Sequence, residues 1–274
     1  MYIMKQLLTI AGSDASGGAG IQADLKTFAA LGCYGMSVVC AVTAQNTQAV
    51  LHVHPIPEEN IALQIEGIFQ DIRVDGVKIG MVGNSAAIRT VAQHLRLYRP
   101  PLVVLDPVMV SKSGYPLLDP QARQVLVDEL FPLADLITPN IYEAEVLTGE
   151  SIQNIQNMER AAHKLLSLGP RAVLLKGGHL TDRCDDLLMT SSSIKVFPGV
   201  RIASIHTHGT GCSLSSAITA LWAREIPLEQ AVAEAKAWLT EAIIEGIPLG
   251  KGHGPVHHFH AFYDREGLPR QKRQ

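Results

Sequence analysis

Short apolar runs that end on a polar residue, separated by stretches of helical period, constrain this chain more than any other feature. Residues 102–105 are wholly apolar and stop on Asp106. Residues 172–175 are likewise apolar and stop on Lys176, and Leu136 and Ile137 run into Thr138-Pro139-Asn140. Residues 5–10, 34–43 and 77–81 read as further strands. Short continuous apolar runs of this kind are what strands buried on both faces look like. The stretches 21–31, 61–72, 86–98, 121–130 and 158–168 are read as helices, the first stopped by Gly32 and the last by Gly169. Residues 185–197 read as a hairpin or meander, and 210–224 and 228–245 as the last two helices. Strands and helices in alternation predict an α/β fold of three layers: a mostly parallel central sheet with helices on both faces.

The 274 residues, 47% of them hydrophobic, suit one large domain with a sizeable core. No internal repeat or low-complexity linker divides the chain, so a single domain over 1–274 is expected, with a loose polar tail at 261–274. A net charge of -3 and a pI near 6.4 disfavour a nucleic-acid partner. No apolar run approaches the ~18 residues of a membrane span. Cys33, Cys40, Cys184 and Cys212 form no C-x-x-C pair, and the start of the chain carries no apolar signal stretch. Free thiols in a reducing cytoplasm are expected.

In a parallel sheet of this kind, ligands bind beyond the carboxyl ends of the strands. That rule selects Gln45, Met81, Asp106, Asn140 and Lys176. Residues 12–20 form a glycine-rich turn opening a helix, where backbone can approach a ligand closely. It is no Walker A loop, because no Gly-Lys-Ser/Thr follows. Gly18, Gly20 and Ala23 do fit G-x-G-x-x-A, but the next strand ends in Thr43-Ala44-Gln45-Asn46, without the carboxylate that a dinucleotide site wants. Asp106, before Pro107, suits magnesium, and equally a capping turn. Asn140 and Glu143 share the first turn of a helix, a spacing that suits a metal's water shell and also a capping box. Lys176, followed by Gly177 and Gly178, can reach phosphate oxygens.

Thr207-His208-Gly209-Thr210-Gly211-Cys212 leads into the helix over 210–224. Backbone N–H groups from Gly209 to Cys212 would make an anion pocket there. The helix dipole would lower the pKa of the Cys212 thiol and let it take a proton from an attacking hydroxyl, unless Cys212 is only a small buried side chain. His253, His257, His258 and His260 cluster without the cysteine or carboxylate of a familiar zinc pattern and read as structural or rim residues.

Taken together, Gly12-Ser13-Asp14, Gly20 with the helix to Thr27, Ala44-Gln45-Asn46-Thr47, Lys78-Ile79-Gly80-Met81, Asp106-Pro107-Val108-Met109, Thr138-Pro139-Asn140, Lys176-Gly177-Gly178-His179, the Thr207 to Cys212 segment and Gly254-Pro255-Val256-His257 resemble the hydroxymethylpyrimidine/phosphomethylpyrimidine kinases. The likeness runs in collinear order over about 5–260, and no fused thiamine phosphate synthase domain is expected within these residues. It implies the ribokinase-like fold, ATP and magnesium as cofactors, and two successive phosphorylations of a hydroxymethylpyrimidine in thiamine biosynthesis. It also implies roles. Gln45 would hydrogen-bond the pyrimidine, with Gly12 and Asp24 helping to hold it and Met81 and Val108 lining the ring. Cys212 would stand where ribokinase has its aspartate base, with Gly209, Thr210 and Gly211 forming the anion pocket. Lys176, Asn140, Thr207, Gly209 and Gly211 would bind ATP. Asp106, Asn140 and Glu143 would organise magnesium. Relatives of this pattern are often homodimers, which carries over only as an implication.

The nearest alternative is a pyridoxal or pyridoxine kinase of the same build, against which Gln45 within Ala44-Gln45-Asn46-Thr47 speaks. A nicotinamide-dependent oxidoreductase rests on Gly18, Gly20 and Ala23 alone. A non-catalytic vitamin-binding sensor is a third reading, with no lost residue to support it.

Overall fold

The computed structural model describes residues 4–111, 113–178 and 184–270. Along the chain run β1 (Gln6–Asp14), α1 (Gly20–Ala30), β2 (Tyr34–Gln45), β3 (Val50–Pro55), α2 (Glu58–Phe69), β4 (Gly76–Ile79), α3 (Ser85–Tyr98), β5 (Val103–Leu105), α4 (Ala122–Glu129), β6 (Leu136–Ile137), α5 (Ile141–Thr148), α6 (Ile155–Leu166), β7 (Ala172–Leu175), β8 (Asp186–Thr190), β9 (Ile194–Phe197), α7 (Thr210–Ala223) and α8 (Leu228–Ile244). The strands form one nine-stranded sheet in the order β3-β2-β1-β4-β5-β6-β7-β8-β9. From β2 to β7 every neighbouring pair is parallel, and β3, β8 and β9 are added antiparallel at the two edges.

Side-chain alternation divides the core in two. Leu8, Ile10, Val103, Leu105, Val173 and Leu175 point to one face, where α2 to α6 cover them. Leu7, Val104, Leu174 and Leu188 point to the other, beneath α1, α7 and α8. The period-two direction of strand side chains thus turns each wholly apolar run into two half-cores. Such burial on both sides is the α/β/α layering that the alternation predicts.

The chain grows from β1 to β2 on one side, then resumes with β4 on the other side of β1. Helices therefore leave the sheet on opposite faces at this reversal, and a crevice opens at the carboxyl ends of β1 and β4. Two local features differ from the sequence-based expectation there. β1 runs to Asp14, so Gly12 to Asp14 are strand rather than turn. Its register shifts between Ala11 and Gly12, a bulge that bends the strand end. Edge strand β3 has no counterpart in the reading of the sequence, because its exposed Leu51, His52 and His54 break any apolar run.

Helix starts also precede the expected ones where a cap decides. Asn84 accepts from Ala87 N–H and starts α3, and Asn154 accepts from Asn157 N–H and starts α6. The expected loose tail is held as far as Arg270: its N–H donates to Phe262 O, and its guanidinium pairs with Glu245. The last four residues, 271–274, lie outside the described residues.

Leu174 is fully buried in β7, two residues before Lys176. Leu174→Ala should lower unfolding free energy by about 2–5 kcal/mol. Val200→Ala, at a site 80% exposed, should stay within about 0.5 kcal/mol. Urea denaturation of the two variants checks this contrast.

Candidate active site

Beyond the carboxyl ends of β1, β4, β5, β6 and β7 lies a cavity of about 450 Å³. Gly12, Gln45, Met81, Asp106, Val108, Asn140, Glu143, Lys176, Thr207, Gly209, Thr210, Gly211 and Cys212 all border it. The strand-end rule therefore gathers every predicted site residue except Asp24, which does not face the cavity.

One end of the cavity is built for anions. Helix α7 begins after Gly209, whose φ of 80° is in the left-handed region, and no side chain caps it. A Cβ on Gly209 would overlap the carbonyl oxygen of Gly18, so only glycine lets the α7 start dock against the loop that precedes α1. The unpaired N–H groups of the first α7 turn are left for a ligand. Lys176 Nζ donates to Asp106 Oδ1 at 2.8 Å, and Thr138 Oγ1 donates to the same oxygen at 3.0 Å. Gly211 brings the helix start over both groups: its Cβ position lies 3.5 Å from Lys176 Nζ and 3.6 Å from Asp106 Oδ2. Burial alone would lower the pKa of Lys176, but Asp106 and then Glu143 outweigh it and hold the ammonium above its usual range.

Asn140 and Glu143 form a reciprocal capping box at the start of α5. Asn140 Oδ1 accepts from Glu143 N–H at 2.9 Å, and Glu143 Oε2 accepts from Asn140 N–H at 2.8 Å. Each of these two oxygens accepts one bond and keeps a lone pair that a metal-bound water can use, so the cap is compatible with the expected place of Asn140 and Glu143 at a metal. The Asn140 NH2 is in addition a donor suited to phosphate oxygens. Burial pushes Glu143 up to about 7, with Asp106 adding to the rise against Lys176 and backbone donors. Two carboxylates thus share one ammonium, a donor set short of positive charge. It fits a divalent cation that completes its shell with phosphate oxygens and water. Among the described residues, no cluster of three or more His, Cys, Asp or Glu could hold a metal without such help.

The other end of the cavity is flat and partly apolar. Gly12 N–H donates to Met81 O at 3.0 Å, and the Met81 side chain fills the space that a Cβ on Gly12 would need. Gln45 Oε1 accepts from Thr43 Oγ1 at 3.1 Å. The Gln45 amide nitrogen lies 3.3 Å from His208 Nε2. His208 and Asp14, quoted in motifs by the sequence reading but given no role of their own, also border the cavity. Asp14 Oδ2 lies 2.8 Å from His208 Nε2 and accepts from Gly18 and Ala19 N–H, while Oδ1 accepts from Ser16. The glycine loop is folded around this carboxylate. Gly18 is needed for the His208 ring to pass, and Gly20 for the backbone of Gly12, so the G-x-G-x-x-A pattern serves loop packing rather than a dinucleotide.

Two expectations change on geometry. Asp24 is fully buried between α1 and α7, where it accepts from Thr9, Ser216 and Lys78, so it cannot contact a ligand directly. At the Cys212 thiol, burial acts against the lowering expected from the helix start. Burial pushes it up to about 11, with Asp24 and Asp106 adding to the rise, while Lys78 and a backbone bond from Gly20 oppose it. Lys78 is the third residue that the sequence reading quoted in a motif without giving it a role: a lysine inside the strand Val77-Lys78-Ile79, fully buried, which is rare unless the charge is paired. Of the C-terminal histidines, His258 hydrogen-bonds Ser213 at 3.0 Å and His257 reaches Asp264 O, structural roles as expected. His179, quoted with the Lys176 motif, lies outside the described residues.

With this geometry in place, comparison with known proteins is specific. The family described as phosphomethylpyrimidine kinase matches residues 14–257. The hydroxymethylpyrimidine/phosphomethylpyrimidine kinase of Escherichia coli (strain K12) is 47% identical over 266 residues, covering 95% of this chain and 100% of that protein. The thiamine biosynthesis bifunctional protein ThiED of Geobacter sulfurreducens is 50% identical over 259 residues, 94% of this chain, which spans 53% of that longer protein. A crystal structure of phosphomethylpyrimidine kinase from Clostridium difficile 630 superposes with a TM-score of 0.79 at 48% identity, covering 87% of this chain and 99% of the other. An ADP complex of Bacillus subtilis pyridoxal kinase superposes at 0.87 with 38% identity, covering 93% and 98%. These neighbours share the ribokinase-like fold.

The Asp14 carboxyl gives a pH prediction. Burial alone would raise it, but the bonds from His208, Ser16 and Ala19 win and bring it from 3.8 to about 2. A depressed carboxyl stabilises the fold above its unfolded pKa and loses that contribution as pH falls through the folded one. The stability difference between the native protein and Asp14→Asn should be about 2 kcal/mol larger at pH 5 than at pH 2. Urea midpoints across that window test it, and a pH-independent difference contradicts it.

Proposed function

The chain belongs to the phosphomethylpyrimidine kinase family, and from that premise we propose that it uses ATP to phosphorylate 4-amino-5-hydroxymethyl-2-methylpyrimidine and then its monophosphate, in thiamine biosynthesis. It is a phosphotransferase. The observation that carries the reading is the continuity of one cavity: a flat pocket of Gly12, Gln45, Met81 and Val108 opens onto the anion site of α7, Lys176 and Asp106. A ring bearing a hydroxymethyl group fits the first part, and a transferring phosphoryl group fits the second.

In this reading Gln45 hydrogen-bonds the ring, and Met81 packs on its face. The ring's hydroxymethyl group is directed at Cys212. Its oxygen forms the new bond to the γ-phosphorus, the bond to the β–γ bridging oxygen breaks, and ADP leaves. Positioning and charge stabilisation supply most of the catalysis of such a transfer. Lys176, the Asn140 amide and the N–H groups of Thr210 and Gly211 stabilise the equatorial oxygens, with Thr207 and Gly209 shaping the same site. Magnesium held by Asp106 and Glu143 together with the phosphates would supply further charge neutralisation. Cys212, its thiol pushed up to about 11, positions the hydroxyl, and in its thiolate form takes the hydroxyl proton as the bond to phosphorus forms.

Pyridoxal is the second substrate class to weigh, because the B. subtilis structural neighbour is a pyridoxal kinase. Gln45 at the ring pocket favours the pyrimidine. A single domain over 1–274, supported by a single sheet running through the chain, belongs to the same reading, as do a homodimer and a cytoplasmic setting. Among the described residues no helix is long and apolar enough to cross a membrane.

Cys212→Ala should lower kcat by about 10²-fold with KM for the pyrimidine little changed, and an unaltered kcat removes Cys212 from the chemistry. In an ADP-release assay with Mg-ATP, the hydroxymethylpyrimidine and its monophosphate should turn over well above pyridoxal and pyridoxine. Preference for the vitamers would reassign the substrate, and no turnover of any would leave the sensor reading.

A further inference from the structure

Cys212 and Ser216 stand one turn apart on one face of α7. That face meets α1. Gly20 and Cys212 border the cavity together, and Asp24, one turn further along α1, accepts from Ser216 Oγ at 2.7 Å. Asp24 is in turn gripped by Thr9 Oγ1 at 2.6 Å and by Lys78 Nζ at 2.9 and 3.0 Å. Lys78 comes from β4 and borders the cavity, whereas Asp24 behind it does not. The bare Cα of Gly80 leaves room for the ammonium, whose Nζ lies 2.8 Å from where a Cβ would be.

The cavity side of the pair is therefore its positive end. An ammonium carries three protons. Two are given to Asp24, and among the described residues the third has no protein acceptor. A buried ion pair is a costly way to join a helix to a strand, since apolar groups of similar volume often serve as well. Its placement one turn beneath the Cys212 thiol gives it a second use. The charges that face the sulfur are Lys78 from β4, Asp24 from α1, Asp106 from the end of β5 and Lys176 from the end of β7. Lys176 is already engaged by Asp106 at 2.8 Å, and Lys78 is the second cation. Asp24 holds that ammonium in its charged form despite complete burial.

We propose that Lys78 is a positioning residue of the acceptor half of the site: anchored by Asp24, it supports negative charge at the Cys212 sulfur. The proposal rests on the reading of Cys212 as the group that meets the substrate hydroxyl. When the hydroxyl oxygen bonds the γ-phosphorus and ADP departs with the bridging oxygen, the hydroxyl proton passes to the Cys212 thiolate, which becomes a thiol. Lys78 makes that thiolate less costly beforehand and donates no proton itself.

The test reads the thiol rather than the kinase. Iodoacetamide labelling of Cys212 is followed from pH 7 to 10 and quantified on the Cys212 peptide by mass spectrometry, so that Cys33, Cys40 and Cys184 do not contribute. Alkylation follows the thiolate fraction. Lys78→Met should slow labelling at pH 8 by about tenfold, and Asp24→Asn, which leaves the ammonium unneutralised, should speed it. Opposite signs distinguish an electrostatic role from general loosening, which would speed both. Should a single variant fail to fold, Lys78→Met combined with Asp24→Asn decides: loss of the nearer cation should leave labelling slower than in the native protein. Equal rates in all variants, or a faster double variant, overturn the proposal. Because no kinase substrate is involved, loss of the role assigned to Cys212 in phosphoryl transfer would be seen separately, as unchanged turnover in Cys212→Ala.

Discussion

A parallel sheet that reverses its direction of growth leaves uncovered strand ends, and the remainder of this structure is arranged around that opening. The reversal lies between β1 and β4. Helices drawn to opposite faces cannot close over it, so backbone groups and polar side chains at the strand ends meet solvent or ligand. Asp106, Asn140 and Lys176 are placed there by nothing more than the ends of β5, β6 and β7. Hydrogen bonds between these ends, such as Lys176 N–H to Pro139 O at 2.9 Å, fix their relative height. The site is therefore carried by the most deeply buried part of the fold.

Burial then decides the chemistry of each group. Lys176 and Lys78 stay charged because carboxylates face them, and in both cases pairing outweighs desolvation. Glu143 and Cys212 lack sufficient compensation, and desolvation pushes them up. The cavity holds its cations firmly and its would-be anions loosely. A polyphosphate entering such a site meets Lys176 already shared with Asp106, which is why a divalent cation suits the same place.

Most of the layering was legible in the sequence, because runs such as Val103-Val104-Leu105 carry no competing signal. Helices capped by side chains, as α3 is by Asn84, began at their caps. The β3 edge was not legible, since an edge strand needs no apolar continuity and its exposed His52 and His54 interrupt any apolar run. Site residues at strand ends were found by position alone. Asp24 was placed at the substrate by the family resemblance alone, and only the third dimension brings Lys78 across to it. Asp14 and His208 are 194 residues apart in the chain, and no local pattern couples them. The lowered thiol expected at α7 failed for a related reason. A helix start favours an anion, but two buried carboxylates and the exclusion of water act on the same sulfur.

The contact between Gly209 and the Gly18 carbonyl joins the two halves of the cavity mechanically. The loop that shapes the ring pocket and the helix start that receives phosphate touch backbone to backbone, with no side chain between them to yield. A displacement of either is transmitted to the other without loss. Attempts to widen the pocket for a bulkier alcohol through the glycine loop would thus also spoil phosphate alignment. Met81 and Val108, whose side chains can be trimmed while the backbone stays fixed, are the positions from which substrate range can be engineered independently of phosphoryl transfer.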